Sequence, residues 1–167
     1  MKSTILLLLL SLIGRPQYTP TAKPAYFIAM EYKGLSNCIY KVYVTDSLIY
    51  GAKVNGYIGE QPRLLPGVVP QKWVDPEAYV NKKMDKYDDL LSDHSAFLDA
   101  DKDNFIIQKA EIKQVWNNPK KKWGMGSYPY SGRIEIEAGK TPENRKGDRE
   151  LILVGYQRPD LVLGLFR

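Results

Sequence analysis

The sequence predicts an α+β domain in which short antiparallel strands carry one inserted helix. Short apolar runs bounded by turn residues recur before and after the middle of the chain, and one amphipathic helix pattern stands between them. The 167 residues are enough for one domain with its own core, but not for two domains and a linker. The apolar fraction of 44% and the charged fraction of 26% are typical of soluble globular proteins and argue against a disordered chain or a polytopic membrane protein.

The amino terminus has the layout of a secretory signal peptide over residues 1–14. Lys2 precedes an apolar run at residues 5–10, and Gly14 and Pro16 follow that run. A membrane-spanning helix would need about 20 apolar residues. The alternatives to a cleaved leader are therefore a short buried helix and a retained interfacial anchor.

The leader is followed by a spacer and then by a single domain. Residues 15–25 contain three prolines and are expected to be extended. The domain then spans residues 26–167, and we expect it to be secreted or periplasmic. Cys38 is the only cysteine, so the domain must be stabilised by its core rather than by an internal disulfide. We expect Cys38 to be a small buried residue in a strand.

Three strands are predicted in the first part of the domain. Residues 26–33 form a mixed apolar run that ends at a glycine. Residues 38–44 alternate between two sides, which is typical of a half-buried strand. A tight turn at residues 45–47 leads into a third strand at residues 48–54, which is interrupted by Gly51.

A helical insertion is predicted at about residues 58–102. Residues 61–70 are rich in proline and must form a loop, whereas Asp75 and Pro76 are a well-formed helix start, with an N-cap acid before a proline at the first helical position. The apolar residues that follow share one helical stripe, which we expect to pack on the sheet. They are Val80, Met84, Tyr87 and Leu91.

The later strands are predicted at residues 104–116, 133–137 and 150–156. Two stretches of the chain then resemble a known fold. Val-Tyr-Val-Thr-Asp-Ser-Leu-Ile-Tyr at residues 42–50 is similar to a hairpin of bacterial pleckstrin-homology-like (PH-like) and GRAM-like domains. Asn-Phe-Ile-Ile followed by Glu-Ile-Lys-Gln-Val, within residues 104–115, is similar to the next unit of those domains.

This resemblance implies a strongly bent antiparallel sheet or a partly open barrel. The chain departs from those domains in the long insertion at about residues 58–102 and in a tail after Tyr156 that leaves room for only a short closing helix. Such folds often bind phosphoinositides through a Lys-x(n)-Lys/Arg-x-Arg pattern on the first two strands. Lys33 and Lys41 are present here, but Tyr43 stands where the final arginine would be. The lipid function is therefore not transferred to this chain.

One acidic stretch has the residue types of a calcium loop. Asp99, Asp101 and Asp103 place oxygens at every second residue, as a hard cation with six to eight oxygen ligands requires. The sixth position of the loop is Asn104 instead of glycine, and the twelfth is Ala110 instead of glutamate. We therefore expect no cofactor, with two readings of the stretch kept open: a weak calcium site, and a polar turn between the inserted helix and the next strand.

Two loops carry basic residues and a tryptophan that could bind an anionic lipid or envelope surface. If both loops lie at one end of the sheet, they form a basic rim beside an exposed ring. The alternative is a solubilising loop whose Trp123 folds back on the core. The residues proposed for this binding site are Lys120, Lys121, Lys122, Trp123, Arg145, Lys146 and Arg149. The formal net charge is +5 for the full chain, and such a modest charge on a protein that is expected to be exported does not favour a nucleic-acid partner.

Catalytic residue patterns are scarce. His94 is the only histidine, and the chain contains no G-x-S-x-G, P-loop, C-x-x-C or H-E-x-x-H motif. Asp93 and Asp99 could act as a hydrolase pair, but 19 acidic residues offer many such pairs, and residues 93–95 are expected to end a helix. The sequence predicts a non-catalytic binding or scaffolding module whose partner is an anionic surface, through peripheral membrane contact, or a protein that adds a strand at a sheet edge. A calcium-binding module is the alternative, and an envelope hydrolase is the third candidate.

Overall fold

The structure, a computed structural model, describes residues 24–32, 37–55, 85–122 and 130–167. Its strands are β1 (Ala25–Glu31), β2 (Cys38–Val44), β3 (Leu48–Asn55), β4 (Phe105–Gln108), β5 (Ile112–Asn118), β6 (Arg133–Ala138) and β7 (Arg149–Leu153). Its helices within these ranges are α1 (Asp85–Leu90), α2 (His94–Asp99) and α3 (Pro159–Gly164), and a 3-10 turn (Lys109–Glu111) joins β4 to β5. The predicted signal peptide and most of the spacer lie outside the described residues.

The strands form one curled antiparallel sheet in the order β4-β3-β2-β1-β7-β6-β5. β1 is the centre of the sheet, because it pairs with β2 on one side and with β7 on the other. The two ends of the sheet, β4 and β5, are consecutive in the chain, so the sheet curls into a half-barrel. The prediction of an α+β fold with a partly open barrel is confirmed.

The predicted hairpin at residues 42–50 is also present. Thr45 closes it, since the Thr45 amide donates to the Leu48 carbonyl at 2.9 Å and the Leu48 amide donates to the Thr45 hydroxyl at 2.9 Å. β2 was expected to be half-buried, but all seven of its residues are buried. The reason is that this part of the sheet is covered on both faces.

Successive side chains of a strand point to opposite faces, and here both faces bury apolar residues. The inner face of the half-barrel holds one core cluster, to which Phe27, Tyr40, Phe105, Ile134 and Leu151 belong. The outer face of β1 to β4 holds a second cluster beneath α1 and α2, to which Ile28, Tyr43, Tyr50, Phe97 and Ile106 belong.

Gly51 interrupts β3 because an aromatic ring occupies its side-chain space. Gly51 pairs with Phe105 across the β3–β4 ladder, and a Cβ atom on Gly51 would lie 2.0 Å from Cε1 of Phe105. The ring thereby covers the glycine backbone on the inner face. The same ring makes an edge contact with Tyr40, with centroids 5.3 Å apart.

The inserted helical region lies against the outer face, as the apolar stripe predicts for its described members. Tyr87 is buried and Leu91 is half-buried, whereas Val80 and Met84 lie outside the described residues. Asp88 fastens α1 to β2, since its Oδ1 accepts hydrogen bonds from Lys41 Nζ at 3.0 Å and from Tyr43 Oη at 2.6 Å.

Residues 93–95 were expected to end a helix, and this expectation is wrong. Asp93 is the N-cap of α2, because its carboxylate accepts the Ala96 amide at 3.1 Å and the Ser95 hydroxyl at 2.9 Å. These hydrogen bonds hold the pKa of Asp93 below its usual value. His94 follows as an exposed residue whose Nε2 lies 2.9 Å from Tyr50 Oη.

The helix α3 follows β7 in the chain and packs beside β5 and β6. Pro159 stands at its first turn, where a missing amide costs nothing. Val162 joins the inner core, and the ring of Phe166 packs 6.1 Å from that of Phe27. Among the described residues, no helix has the length and apolar character to cross a bilayer.

Candidate functional site: an open sheet edge and its groove

The expected basic rim at one end of the sheet is not formed. The β5–β6 connection carries Lys120, Lys121 and Lys122, and the β6–β7 connection carries Arg145 and Lys146. β6 runs from the first connection to the second, so the two loops lie at opposite ends of the sheet. Consecutive loops of an antiparallel meander must alternate in this way.

The three consecutive lysines differ in their surroundings. Lys120 and Lys121 are exposed, whereas Lys122 is half-buried and donates to Glu150 Oε1 at 2.8 Å. The ammonium of Lys122 also lies 5.7 Å from the ring centroid of Tyr32. Trp123, which was expected to accompany the lysines, lies outside the described residues.

The basic residues at the other end mostly serve a buried network. The Glu31 carboxylate is 1% exposed, and its Oε1 accepts from Arg149 Nη1 at 3.0 Å and from Lys146 Nζ at 3.1 Å. Arg149 Nε donates to Asn144 Oδ1 at 3.0 Å, and the guanidinium lies 3.9 Å from the ring centroid of Phe105. Arg149 therefore stabilises the interior, whereas Arg145 is exposed, as are Lys140 and Lys146 of the same loop.

Two atoms beside this network have no hydrogen-bond partner among the described residues. They are Glu31 Oε2 and Tyr40 Oη, both buried. Burial, followed by the negative charge of Glu31, raises the pKa of Tyr40 far above its ordinary value. The hydroxyl of Tyr40 thus stays protonated.

The acidic stretch forms the turn between α2 and β4. Asp99 is exposed at the end of α2, while Asp101 and Asp103 both approach Lys53, with Oδ1 at 3.5 Å and Oδ2 at 2.5 Å from its Nζ. The hydrogen bond that the Lys53 ammonium donates to Asp103 raises the pKa of Lys53. A lysine ammonium therefore lies where two of the three proposed calcium ligands meet, and within the described ranges no three His, Cys, Asp or Glu side chains are placed to hold a metal ion.

The edge of the sheet at β4 is covered. β4 has only four residues, of which three are buried. Its outward-facing Ile106 amide donates to the Glu143 carbonyl at 3.1 Å, so the β6–β7 loop lies over this edge. Asn144, next to Glu143, binds the Gly139 and Gly147 carbonyls and holds that loop in shape.

The edge at β5 is different. β5 has seven residues, none of them fully buried, and among the described strands it pairs only with β6. In an antiparallel edge strand, alternate residues direct their amide and carbonyl groups away from the sheet. A register shift between Ile112 and Gln114 interrupts the regular ladder at the start of the strand.

A groove of about 290 Å³ runs between this edge and α3. Its apolar lining comes from Ile112 and Val115 of β5 and from Leu163 and Phe166 of the α3 region. All four side chains also pack against the inner core. The groove floor is thus the outermost layer of the domain's own core, exposed where the half-barrel stays open.

The charged residues of the groove lining are basic, and Gln114 is its neutral polar residue. Lys109, Lys113 and Arg167 line the groove, and no acidic residue does. Lys109 Nζ donates to the Leu165 carbonyl at 2.8 Å, which ties the 3-10 turn to the end of α3. Lys113 is 72% exposed, and its Nζ lies 3.5 Å from Glu137 Oε1.

This groove could hold part of a ligand by apolar contacts with its floor and by attraction to its basic residues. Its volume is at the lower limit of small-molecule sites, which span roughly 300–1,000 Å³, so it fits one or two side chains of a partner. No sequence pattern predicted the groove. One signal was present, since the tail carries apolar residues that indicate packing on the sheet: Leu163, Leu165 and Phe166. Comparisons of the chain with protein-family models, with curated proteins and with solved structures find no match.

Proposed function

We propose that this protein is an exported, non-catalytic binding module with a PH-like half-barrel, and that it holds a protein partner by strand addition at β5. The partner supplies an extended segment that pairs with the outward-facing backbone of β5. The observation that carries this proposal is the contrast between the two sheet edges: β4 is covered by the β6–β7 loop, whereas no described residue covers the outer side of β5, which borders a groove.

Several features support a protein partner over an anionic surface. Of the proposed cations, Lys122 and Lys146 pair with Glu150 and Glu31, and Arg149 is buried. A surface-binding role requires several free cations on one side of the molecule. The backbone of β5 offers a row of donors and acceptors in one place instead.

The order of elements supports the PH-like assignment. Seven strands are followed by one short helix that packs beside β5 and β6, and a Thr-Asp turn closes the β2–β3 hairpin. The signal-peptide layout of residues 1–14 supports the extracytoplasmic location. Cell fractionation with mass spectrometry of the amino terminus tests that location, since an intact precursor that is soluble in the cytosol would overturn it.

Strand addition can be tested with a displayed library of random nine-residue peptides selected on the purified domain. Binding of a selected peptide should slow amide hydrogen exchange at alternate residues of β5, because those amides gain hydrogen bonds. The amides of β4, whose edge is covered, should keep their exchange rates and serve as the internal control.

Backbone methylation of the same peptide gives the second readout. A peptide strand directs only every second amide toward its partner. N-methylation of one alternate set of residues should abolish binding, while methylation of the other set leaves it within about twofold. If both sets are equally tolerated, or if no peptide is enriched, the strand-addition proposal is wrong.

A further inference from the structure

We infer that the groove beside β5 selects an acidic segment with one or two apolar side chains. This inference rests on the proposed function and specifies the partner that strand addition would capture. It depends on two properties of the groove, an apolar floor continuous with the inner core and a rim whose charged residues are all basic.

The apolar floor determines what enters the groove. Ile112 and Val115 on one wall and Leu163 and Phe166 on the other are all only partly buried. A partner side chain placed between them would remove apolar surface from water on both walls, at about 25 cal/mol for each Å². A cavity of about 290 Å³ has room for one or two such side chains.

The rim determines the charge of the partner. Lys113 on β5 and Arg167 after α3 stand on the two walls of the groove, and Lys109 contributes a third positive charge. Glu137 approaches Lys113 only at 3.5 Å, and surface pairs of this kind are weak. The Lys113 ammonium therefore remains able to bind a carboxylate of a ligand.

The geometry of β5 places strand pairing and groove contacts next to one another. The register shift between Ile112 and Gln114 disturbs the ladder at the start of β5, and Lys113 stands at the shift. Regular pairing is therefore expected with residues 114–118, and a segment that continues past the shift runs along the groove toward α3. Its apolar side chains enter the groove, and carboxylates within two residues of them reach Lys113 and Arg167.

Three fluorescein-labelled nine-residue peptides test this inference by fluorescence anisotropy with the purified domain. The first alternates leucine and glutamate, the second alternates leucine and lysine, and the third alternates serine and glutamate. The leucine–glutamate peptide should bind on the order of tenfold tighter than either of the others, and its advantage over the lysine peptide should shrink as salt is raised.

Charge reversal on the rim gives the matched comparison. Lys113→Glu should weaken binding of the leucine–glutamate peptide on the order of fivefold and strengthen binding of the leucine–lysine peptide. Lys102→Glu is the control, because Lys102 is also an exposed lysine and lies near the start of the covered strand β4. It should change neither affinity by more than about twofold.

The outcomes separate this inference from the proposed function. If the leucine–glutamate and leucine–lysine peptides bind equally well, strand addition stands and the preference for an acidic segment is wrong. If the serine–glutamate peptide binds as tightly as the leucine–glutamate peptide, the groove does not take apolar side chains. If none of the three peptides binds at millimolar concentration, both the inference and strand capture are overturned.

Discussion

The two edge strands of the sheet, β4 and β5, are consecutive in the chain but are stabilised in different ways. β4 is short, buried at three of its four positions, and covered at its outer side by the Glu143 carbonyl. β5 is longer, has no fully buried residue, and borders the groove with α3. An uncovered edge presents unpaired amide and carbonyl groups that can pair with another chain, and natural proteins usually protect such edges.

The difference shows that a buried network of side chains protects the β4 edge, whereas no described residue protects the β5 edge in the same way. The covering loop at β4 is held by the buried Glu31–Arg149 pair and by Asn144. At β5, the features within the described residues that limit pairing are the register shift and the exposed Lys113, and both stand at the start of the strand. Under the proposed function, these features restrict accidental association while the rest of the strand stays accessible to a partner.

The largest effect on stability is expected at the centre of the covered edge. Phe105→Ala should lower the free energy of unfolding by about 4 kcal/mol, because the fully buried ring fills the space over Gly51 and contacts Tyr40 and Arg149. Val115→Ala, on the open edge, is the matched substitution, and it should cost about 1 kcal/mol because Val115 is only half-buried. Urea unfolding of both variants measures the contrast, and equal losses would contradict it.

A somewhat smaller loss is expected when the cover of β4 is released. Arg149→Met should cost about 3 kcal/mol, because it leaves the buried Glu31 carboxylate with only Lys146, which is half-exposed. The amide of Ile106 should then exchange faster, since the loop that carries its acceptor, Glu143, loses its anchor. Arg145→Met, in the same loop but exposed, is the control and should change neither quantity.

Unchanged exchange at Ile106 in the Arg149→Met variant would mean that the loop is held by other contacts. A gain in dimer formation by that variant, measured by analytical ultracentrifugation, would instead support the view that the covered edge becomes an open one.

Much of the sheet could be predicted from local patterns. The β2–β3 hairpin follows from alternation around Thr45, and the apolar stripe through Tyr87 placed the inserted helical region against the sheet. The role of Arg149 could not be read in this way, because its partner Glu31 is 118 residues away in the chain. A loop arginine and a strand-end glutamate look like solvated charges until the fold brings them together.

The candidate site was less predictable than the fold for the same reason. The groove is lined by residues of β5 and of the α3 region, which lie far apart in the chain and meet only in the folded protein. By contrast, the sequence could have predicted that the two basic loops lie at opposite ends of the sheet, because successive hairpin loops of a meander alternate between the two ends.

A pH-dependent effect smaller than the two losses above is expected on the covered side, at the start of α2. The pKa of Asp93 is lower in the folded protein than that of an ordinary aspartate, because its carboxylate accepts hydrogen bonds from the Ala96 amide and the Ser95 hydroxyl. A lowered folded pKa adds stability that is present above the unfolded pKa and is lost as pH falls through the folded pKa. Asp93→Asn keeps the cap but removes this titration, so its unfolding free energy should fall less steeply between pH 4 and pH 2. Parallel slopes for the variant and the wild type in acid urea titrations would refute this role.

The smallest effect on stability is expected on the open edge itself. Lys113→Ala should change the free energy of unfolding by less than about 0.5 kcal/mol, because its side chain is 72% exposed and its contact with Glu137 is 3.5 Å long. Urea unfolding tests this with the same precision as the larger losses at β4. A loss above about 1 kcal/mol would mean that Lys113 stabilises the edge. If the variant is as stable as the wild type but binds the leucine–glutamate peptide more weakly, Lys113 is assigned to recognition. The substitution would then have changed the affinity without changing the free energy of unfolding, so Lys113 must contact the peptide.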